Sequence, residues 1–558
     1  MRGIYTPVTD IRRKVFTEVA RMAYSGNGYE GAENLPFKIV PGDQPLHRES
    51  IFLERAIAGE RVRLAMGLSI RPIQTRSLMT EGMDAAAIAE QYYEAPLVNI
   101  IPYACHACPT KRYSVTNICQ GCLAASCQSV CPKGAISFAN GKSVIDETIC
   151  IRCGKCASAC SYHAIAFIER PCQAACGMDA IGSDEHGKAV IHQDKCVACG
   201  QCLVSCPFGA IVDKGQIFQV VRSILQGDQV VAIVAPAFVG QFSGMVSPGK
   251  FVTAMKQLGF DRVVEVAVGA DVCTVEEAKD FLEKVPSQQD YMATSCCPAW
   301  IRFAETRHPE ILENISTCRS PMEMFGSVIK EYFGNCGKRV VSVAIMPCTA
   351  KKFEAMRDEF RDKNGTPYVD YVITSQEIIQ MIRQSGIRFD ELEPEAVSMP
   401  FGMSSGAGLI FGASGGVTEA VLRRLSDDKS AGAIRSIANS GVRDIAGLKE
   451  CSITHNGEEI KIAIVSGLEN TDKLIHRIEE GEVSYHMVEV MACPGGCVSG
   501  AGQPFAKSGE RRQRSESLYR NDRMCLIRRS EENPLMEELY SGILKDRTHE
   551  LLHVDYVK

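Results

Sequence analysis

The chemistry of this chain is announced by its cysteines, 26 in 558 residues. None occurs before Cys105, sixteen lie between Cys105 and Cys206, and ten are scattered from Cys273 to Cys525. The N-terminus does not read as a secretion signal, because Asp10, Arg12, Arg13, Lys14 and Glu18 interrupt any apolar run. Thiols in that number without an oxidising compartment are metal ligands before they are disulfides. Cys150, Cys153, Cys156 and Cys160 form C-x2-C-x2-C-x3-C; Cys196, Cys199, Cys202 and Cys206 repeat it and are followed by Pro207. Cys119, Cys122, Cys127 and Cys131 carry a two-residue insertion before Pro132. Cys172 and Cys176 keep the x3 spacing, with Met178-Asp179-Ala180-Ile181 where Gly-Ala-Ile stands at 134–136 and 209–211 to open a strand. Cys105-x2-Cys108 is a pair without a run.

The x2-x2-x3 spacing is that of bacterial ferredoxins, in which three thiolates bind one 4Fe-4S cluster and the fourth reaches across to its neighbour. By that crossed rule the first cluster takes Cys119, Cys122, Cys127 and Cys160, and the second takes Cys150, Cys153, Cys156 and Cys131. The third takes Cys196, Cys199, Cys202 and Cys176. Elimination leaves Cys105, Cys108, Cys172 and Cys206 for a fourth. Zinc held by four thiolates is the alternative for such pairs. It does not account for x2-x2-x3 repeated with Pro, but it stays open for the fourth set, which rests partly on counting. Clusters in series carry single electrons between an external carrier and a buried site. The segment 105–206 has nine Lys/Arg against seven Asp/Glu, a slightly basic face suited to an acidic carrier.

The scattered cysteines concentrate in three motifs: Thr294-Ser295-Cys296-Cys297-Pro298-Ala299-Trp300, Met346-Pro347-Cys348-Thr349-Ala350-Lys351-Lys352-Phe353-Glu354, and Glu489-Val490-Met491-Ala492-Cys493-Pro494-Gly495-Gly496-Cys497. The second and third follow apolar strand-like runs, and in α/β sheets ligands bind beyond the carboxyl ends of strands. Convergence of these ends would bring Cys297, Cys348, Cys493 and Cys497 together, enough for one further cluster.

In order and content these motifs resemble those of the iron-only (FeFe) hydrogenases, over the chain from about 218 to the end. The arrangement of the iron–sulfur segment, Ala299 and the Pro-Gly-Gly of the third motif resemble the group B branch. The resemblance implies an H-cluster: a 4Fe-4S cubane joined through a cysteine thiolate to a two-iron unit bearing CO, cyanide and azadithiolate. It implies that Cys297, Cys348, Cys493 and Cys497 ligate the cubane, with Cys497 bridging. It further implies that Cys296 is a proton-relay thiol and that Lys351 hydrogen-bonds one cyanide. On the same resemblance Ser320-Pro321 and Ala235-Pro236 would line the other, and Met346 and Met491 would pack near the two-iron unit. A buried ammonium would compensate a terminal anion in an apolar pocket. Glu277, Asp280, Ser316 and Cys296 match the family's proton path. The departures are Asp280 where Glu is usual, a Glu277–Cys296 loop shorter by a residue, and Met322 for Gln.

The elements that must position these groups divide the chain. Residues 1–100 read as a helical extension, with helical apolar spacing over 8–24 and 47–68 and no chemistry beyond packing. Residues 101–217 read as a ferredoxin-like iron–sulfur domain, 218–530 as the catalytic body, and 531–558 as a small-subunit-like tail. In the body, strand-like runs (230–235, 263–268, 340–346, 462–465, 487–491) alternate with amphipathic helical segments such as 274–284 and 415–425, the pattern of parallel sheets covered by helices. The expected fold is thus multidomain, α+β and α/β: ferredoxin-like modules, then a two-lobed α/β catalytic domain. At 45% hydrophobic and 23% charged, the composition excludes disorder, collagen and coiled coil. A net charge of −6 argues against nucleic acid, and the absence of a long apolar run argues against a membrane span.

Plainer readings compete. Thr274-x-x-Glu277 is a capping box; Cys296 could be a passive thiol; Cys273, Cys318, Cys336, Cys451 and Cys525 read as buried free thiols. His549-Glu550-Leu551-Leu552-His553 matches a zinc-peptidase helix without a third ligand, and glycines 406, 408, 412, 415 and 416 suggest a dinucleotide loop. Arg511, Arg512, Arg514, Arg520, Arg523, Arg528 and Arg529, interspersed with acids, read as a solvated face. The expectation is a cytoplasmic, anaerobic hydrogenase with four accessory 4Fe-4S clusters. Its partners would be a ferredoxin-type carrier and the maturation enzymes that build the two-iron unit. A hydrogen sensor and a non-catalytic iron–sulfur assembly relative are the alternatives; Lys351, Cys296 and the complete third motif argue against the latter.

Overall fold

Two four-stranded sheets are built from the β-branched runs of the catalytic body. The computed structural model describes residues 5–88, 92–238, 247–285, 287–334, 337–443, 447–504 and 509–557, so Cys336 lies outside the described residues. In the first sheet Arg262–Glu265, Gln229–Val234, Val340–Met346 and Tyr371–Thr374 lie side by side, all parallel. Val340–Met346 is buried along its whole length, as befits a parallel strand covered on both faces. In the second, Met292–Ala293, Met487–Met491 and Glu458–Ser466 are parallel, and Leu448–His455 closes the edge antiparallel. Asn456 (φ 50°) and Gly457 (φ 83°) make the two-residue hairpin turn that joins the last two.

One strand is shorter than its sequence suggests. The 263–268 run pairs only to Glu265, because a helix begins at Ala267 and continues to Lys284. Thr274 therefore sits in mid-helix and donates its hydroxyl to the Ala270 carbonyl at 2.8 Å. The capping-box reading is overturned, and the Glu277 side chain is left for other partners.

The iron–sulfur segment is two small α+β units of paired antiparallel strands. Arg112–Val115 pairs with Ile165–Ile168 and Ile136–Ala139 with Lys142–Ile145 in one; Val98–Ile100 pairs with Ile211–Asp213 and Ile181–Ser183 with Ala189–Ile191 in the other. The first unit has its own small core around Cys127, Ile136, Cys156 and Ile165, whereas the second merges into the core of the body.

Residues before 100 pack as a collar. The helix Pro7–Tyr24 lies against Ile217–Gln226 and Ser375–Gln384. Arg12 donates to the carbonyls of Leu203 (3.2 Å) and Ile211 (3.0 Å), and Arg61 to that of Gly209 (2.8 Å). At the other terminus, Val554 N donates to Thr317 O (2.8 Å) and Ser327 Oγ to Leu551 O (3.0 Å), so the tail is stitched onto the body. Among the described residues no helix is long and apolar enough to cross a membrane.

Several plain readings resolve differently. The arginine-rich stretch is only partly solvated: Arg514 and Arg529 are buried, and Arg528, with Arg423 and Arg443, holds the buried carboxylate of Asp522. The zinc-peptidase match fails on geometry, since the helix Thr548–Leu552 ends before His553 and Glu550 is engaged by Arg547 and Lys363. The glycines near 406 begin a short helix pressed on Ala267 and Asp522, with no strand leading into it. Cys273 and Cys318 are buried as expected, whereas Cys451 and Cys525 are only half-buried.

Candidate active site

Three loops at the carboxyl ends of strands meet at one cavity between the two sheets. Val340–Met346 delivers Pro347 and Cys348, Met487–Met491 delivers Cys493 and Cys497, and Met292–Ala293 leads to Cys296 and Cys297. The cavity holds about 830 Å³ of empty space, part of it open to solvent. Its walls include all four of these candidate ligands, Cys296, Lys351, Ala235, Pro236, Pro321, Met322, Met346 and Met491. Ser320 is fully buried but stands behind this wall, its hydroxyl accepting from Glu323 N at the start of the helix Pro321–Phe333. The third motif can double back because Gly495 (φ 84°) and Gly496 (φ 89°) turn with a positive φ, and a Cβ on Gly496 would lie 2.4 Å from Ser414 N.

Burial raises the pKa of all four thiols and so disfavours their thiolates, and Cys348, Cys493 and Cys497 also feel neighbouring thiols. Cys348 is pushed up to about 11 by burial and then by Cys297; Cys497 goes to about 12 by burial, Cys297 and Cys348. Cys493 is raised by burial and by Cys348, Cys199, Cys297 and Cys497. Four thiols packed in an apolar cavity become stable thiolates only if cationic charge is placed among them, so the donor set fits an iron–sulfur group. Lys351 supplies further positive charge. Its ammonium donates to Glu354 Oε2 (2.7 Å) and to the Cys296 carbonyl (3.3 Å), and its third N–H is left for the cavity.

Cys199 reaches the same cavity, so the iron–sulfur segment touches the site directly. Gln201 donates Nε2 to Cys493 Sγ (3.2 Å), and Thr349 Oγ1 donates to the Ala198 carbonyl (2.6 Å). Gly200, at φ 72°, allows this approach: a Cβ there would stand 2.6 Å from both Ala501 Cβ and Thr349 Oγ1.

Within that segment one loop geometry recurs four times. The residue before the second cysteine of four C-x2-C pairs, the opening pair of each complete run and Cys105-Cys108, is left-handed: Ala107 (φ 48°), Gly121 (56°), Arg152 (59°) and Ala198 (53°). So is the third residue after each closing cysteine: Gly134 (63°), His163 (49°), Asp179 (48°) and Gly209 (60°). The incomplete run at Cys176 thus folds as the complete ones do. Non-glycine residues pay about 1 kcal/mol for this conformation, so its recurrence marks a shared requirement. Cys172 is pushed up to about 11 by burial, then by Cys206, with Cys105 and Cys108 adding to it; Cys202 feels Cys199, Cys196 and Cys176. Cys156 feels Cys150 and Cys131. Arg170, which sequence reasoning passed over, is buried and ties the fourth set together through the carbonyls of Cys108 (2.8 Å), Gly182 (2.8 Å) and Gly187 (2.7 Å).

Behind Cys296 lies a line of titratable groups. Glu277 Oε1 accepts from Ser295 N (3.4 Å) and Ser295 Oγ (3.3 Å), and burial, then Asp280, pushes its carboxyl up to about 7. Ser316 Oγ donates to Asp280 Oδ2 at 3.3 Å. Asp280 receives Lys284 Nζ at 3.1 Å on its outer side. Sequence reasoning also missed Glu323, fully buried, with neither carboxylate oxygen hydrogen-bonded among the described residues and its pKa raised by burial and then by Glu354. Its place at the third position of a Ser-Pro-capped helix resembles ordinary capping, which hid it.

Known proteins match this arrangement. The family description "Iron only hydrogenase large subunit, C-terminal domain" matches residues 228–501, "Iron hydrogenase small subunit" matches 508–558, and "4Fe-4S dicluster domain" matches 149–210. Iron hydrogenase 1 of Clostridium pasteurianum is 35% identical over 457 residues, 76% of this chain and 78% of that protein. Cytosolic iron-sulfur assembly component 3 of Rattus norvegicus is 30% identical over 326 residues, 55% of this chain and 68% of that protein. An apo FeFe-hydrogenase from Chlamydomonas reinhardtii superposes with a TM-score of 0.51 at 32% identity, covering 59% of this chain and 94% of that one. Fold and site together define an iron–sulfur oxidoreductase. The chain belongs to the iron-only (FeFe) hydrogenase family and is a hydrogenase, acting on H2 through 4Fe-4S clusters and the family's H-cluster.

Proposed function

We propose that the chain catalyses the reversible reduction of protons to H2 in the cytoplasm, exchanging electrons with a ferredoxin-type carrier through four accessory 4Fe-4S clusters. Its features fit the group B branch. The observation that carries the reading is the convergence of Cys297, Cys348, Cys493 and Cys497 on one apolar cavity, with Lys351 and Cys296 in its wall and Cys199 at its rim.

In this reading those four thiolates would hold the H-cluster, with Cys497 as the ligand shared with its two-iron unit, and the remaining N–H of Lys351 would compensate the charge of one cyanide. Ala235, Pro236 and Pro321 would line the other, with Ser320 behind them, and Met346 and Met491 belong to the apolar wall. When bound, the H-cluster supplies the centre at which two protons and two electrons combine into H2. The chain's own residues do the rest. Met322, Pro321 and Pro236 give the cavity part of its apolar wall. Cys296, with Glu277, Ser316 and Asp280 behind it, passes protons between the cavity and the surface. Cys196, Cys199, Cys202 and Cys176 would hold the cluster nearest the cavity, into which Cys199 reaches, and supply the last electron step. Next outward is Cys105, Cys108, Cys172 and Cys206. Beyond it lie the two sets of the first unit, Cys119, Cys122, Cys127 and Cys160, and Cys150, Cys153, Cys156 and Cys131. Exposed Cys122 and Cys153, with Ile118, Leu123 and Ile151 around them, suit the carrier's docking face.

The test is anaerobic infrared spectroscopy after maturation, with H2 evolution from reduced viologen. CO and cyanide bands with turnover are expected, and Cys296→Ala is expected to keep the bands while losing at least about a hundredfold in turnover. Bands with only trace turnover would favour a sensor. Iron loading without bands, under conditions that mature a known hydrogenase, would leave an electron-transfer or assembly protein.

A further inference from the structure

The proton path does not stop at Asp280. Its Oδ2 accepts from Thr317 Oγ1 at 2.9 Å, and that hydroxyl lies 3.0 Å from Nδ1 of His553, in the C-terminal segment. On the ring's other side, Nε2 lies 3.3 Å from Glu276 Oε2. We propose that His553 is the outer proton relay of this hydrogenase, joined to Asp280 through the Thr317 hydroxyl, so that the small-subunit-like tail completes the proton path. This rests on the hydrogenase reading above.

The hydrogen-bond directions are consistent along the whole line. An acceptor carboxylate at Asp280 requires Thr317 to donate, which leaves its oxygen to accept from Nδ1–H. An acceptor carboxylate at Glu276 requires Nε2–H. With an oxygen within hydrogen-bond distance of each ring nitrogen, the imidazole can take a proton at one side and give one at the other. Against the upward push of burial, bonds from His553, Lys279 and Tyr540 bring the Glu276 carboxyl down to about 2, so it remains ionised beside the ring. The other groups facing His553 are Asp280, the neutral thiol of Cys318, and His549, whose ring stacks on it at 5.6 Å. Arg319 reaches the backbone: Nε donates to the His553 carbonyl at 2.9 Å.

In the inward step the Nδ1–H bond breaks as an O–H bond forms on Thr317 Oγ1, whose own proton passes to Asp280 Oδ2. The balance is one proton moved from imidazolium to carboxylate, with no electrons transferred. Bulk water then reloads the neutral ring, and oxidation of H2 runs the line backward. The other outer contact of Asp280 is Lys284, 3.1 Å away. An ammonium holds its proton near neutrality and passes it on poorly, whereas imidazole exchanges protons there.

The side chain can be removed without unfastening the tail. Arg319 Nε and the Val554 N–H to Thr317 O bond grip the backbone, as does the bridge between Cys318 and His553. In matured full-length protein, His553→Asn is expected to lower viologen-driven H2 evolution at pH 7 by about tenfold or more, with CO and cyanide bands and iron content as in wild type. In His553→Ala, added imidazole is expected to restore turnover while leaving wild type unchanged. Turnover of both variants within about twofold of wild type would overturn the relay. So would a loss that imidazole does not restore and that leaves the pH profile unaltered, because that is the signature of packing. If wild type itself shows no bands or no turnover, the hydrogenase reading fails first; if it turns over and the variants match it, only the relay fails.

Discussion

Glu277 holds its proton up to about pH 7 in the folded chain, against 4.5 for an ordinary glutamate. Burial is the main cause and the charge of Asp280 the second. Between those two values the folded chain retains a proton that the unfolded chain has shed. This group's contribution to stability therefore falls as pH rises from 4.5 to 7, by up to about 3 kcal/mol, and stays low above. Glu277→Gln removes the titration. Its thermal midpoint is expected to exceed that of wild type at pH 8, with the gain shrinking toward pH 5, while H2 turnover is lost at both. Equal midpoints across that range, followed by calorimetry, would mean that the carboxyl ionises normally. A carboxyl poised near neutrality both takes and gives protons, which is what a relay behind Cys296 needs, and its cost in stability is the price of that poise.

At the scale of elements, the site depends on close approaches that single residues permit. Gly200 opens the helix Gln201–Ser205 in a left-handed conformation, with no room for a Cβ against Ala501 and Thr349. Gly200→Ala adds left-handed strain and overpacking, and is expected to destabilise the junction by about 2 kcal/mol. Thermal denaturation would read this as a lowered first transition, and an unchanged melt would deny the tight contact. Not every element was legible. Thr274-x-x-Glu277 carries a cap signature, yet the helix starts seven residues earlier, at Ala267, since tertiary packing of an apolar run outweighs one local capping signal. The strand Leu448–His455 was missed although Asn456-Gly457, a strong hairpin signal, follows it directly; the alternation in front of it is weak because the strand lies at an edge.

Across the whole molecule, the iron–sulfur arm meets the catalytic body where Cys199 reaches the cavity, as the proposed electron path requires. Cys172→Ser removes one thiolate from the fourth set. It is expected to lose about four irons per chain while retaining the CO and cyanide bands, with carrier-driven turnover falling more than the bands do. Iron content unchanged in that variant would return the fourth set to zinc or to no metal. The N-terminal collar takes part by packing and hydrogen bonding: Arg12 and Arg61 satisfy the carbonyls of Leu203 in a helix, Gly209 at the end of a turn and Ile211 at the start of a strand. The C-terminal tail does more, because Arg319 and Thr317 bring His553 to the outer end of the acid line.

What the sequence alone determined is the chemistry that local spacing encodes. Thiols two and three residues apart must share a metal loop, and motifs that follow β-branched runs must sit at strand ends. These are properties of a few consecutive residues, so Cys297, Cys348, Cys493 and Cys497 could be grouped before any fold was known. Tertiary structure alone decided the meetings between distant segments: Cys199 at the cavity rim, Arg170 beneath the fourth set, Arg514 and Arg529 buried instead of solvated, Glu323 without a partner, and His553 beside Thr317 across 236 residues. No periodicity marks such contacts, because a hydrogen bond between remote residues depends on how whole elements pack and not on the residues around either partner.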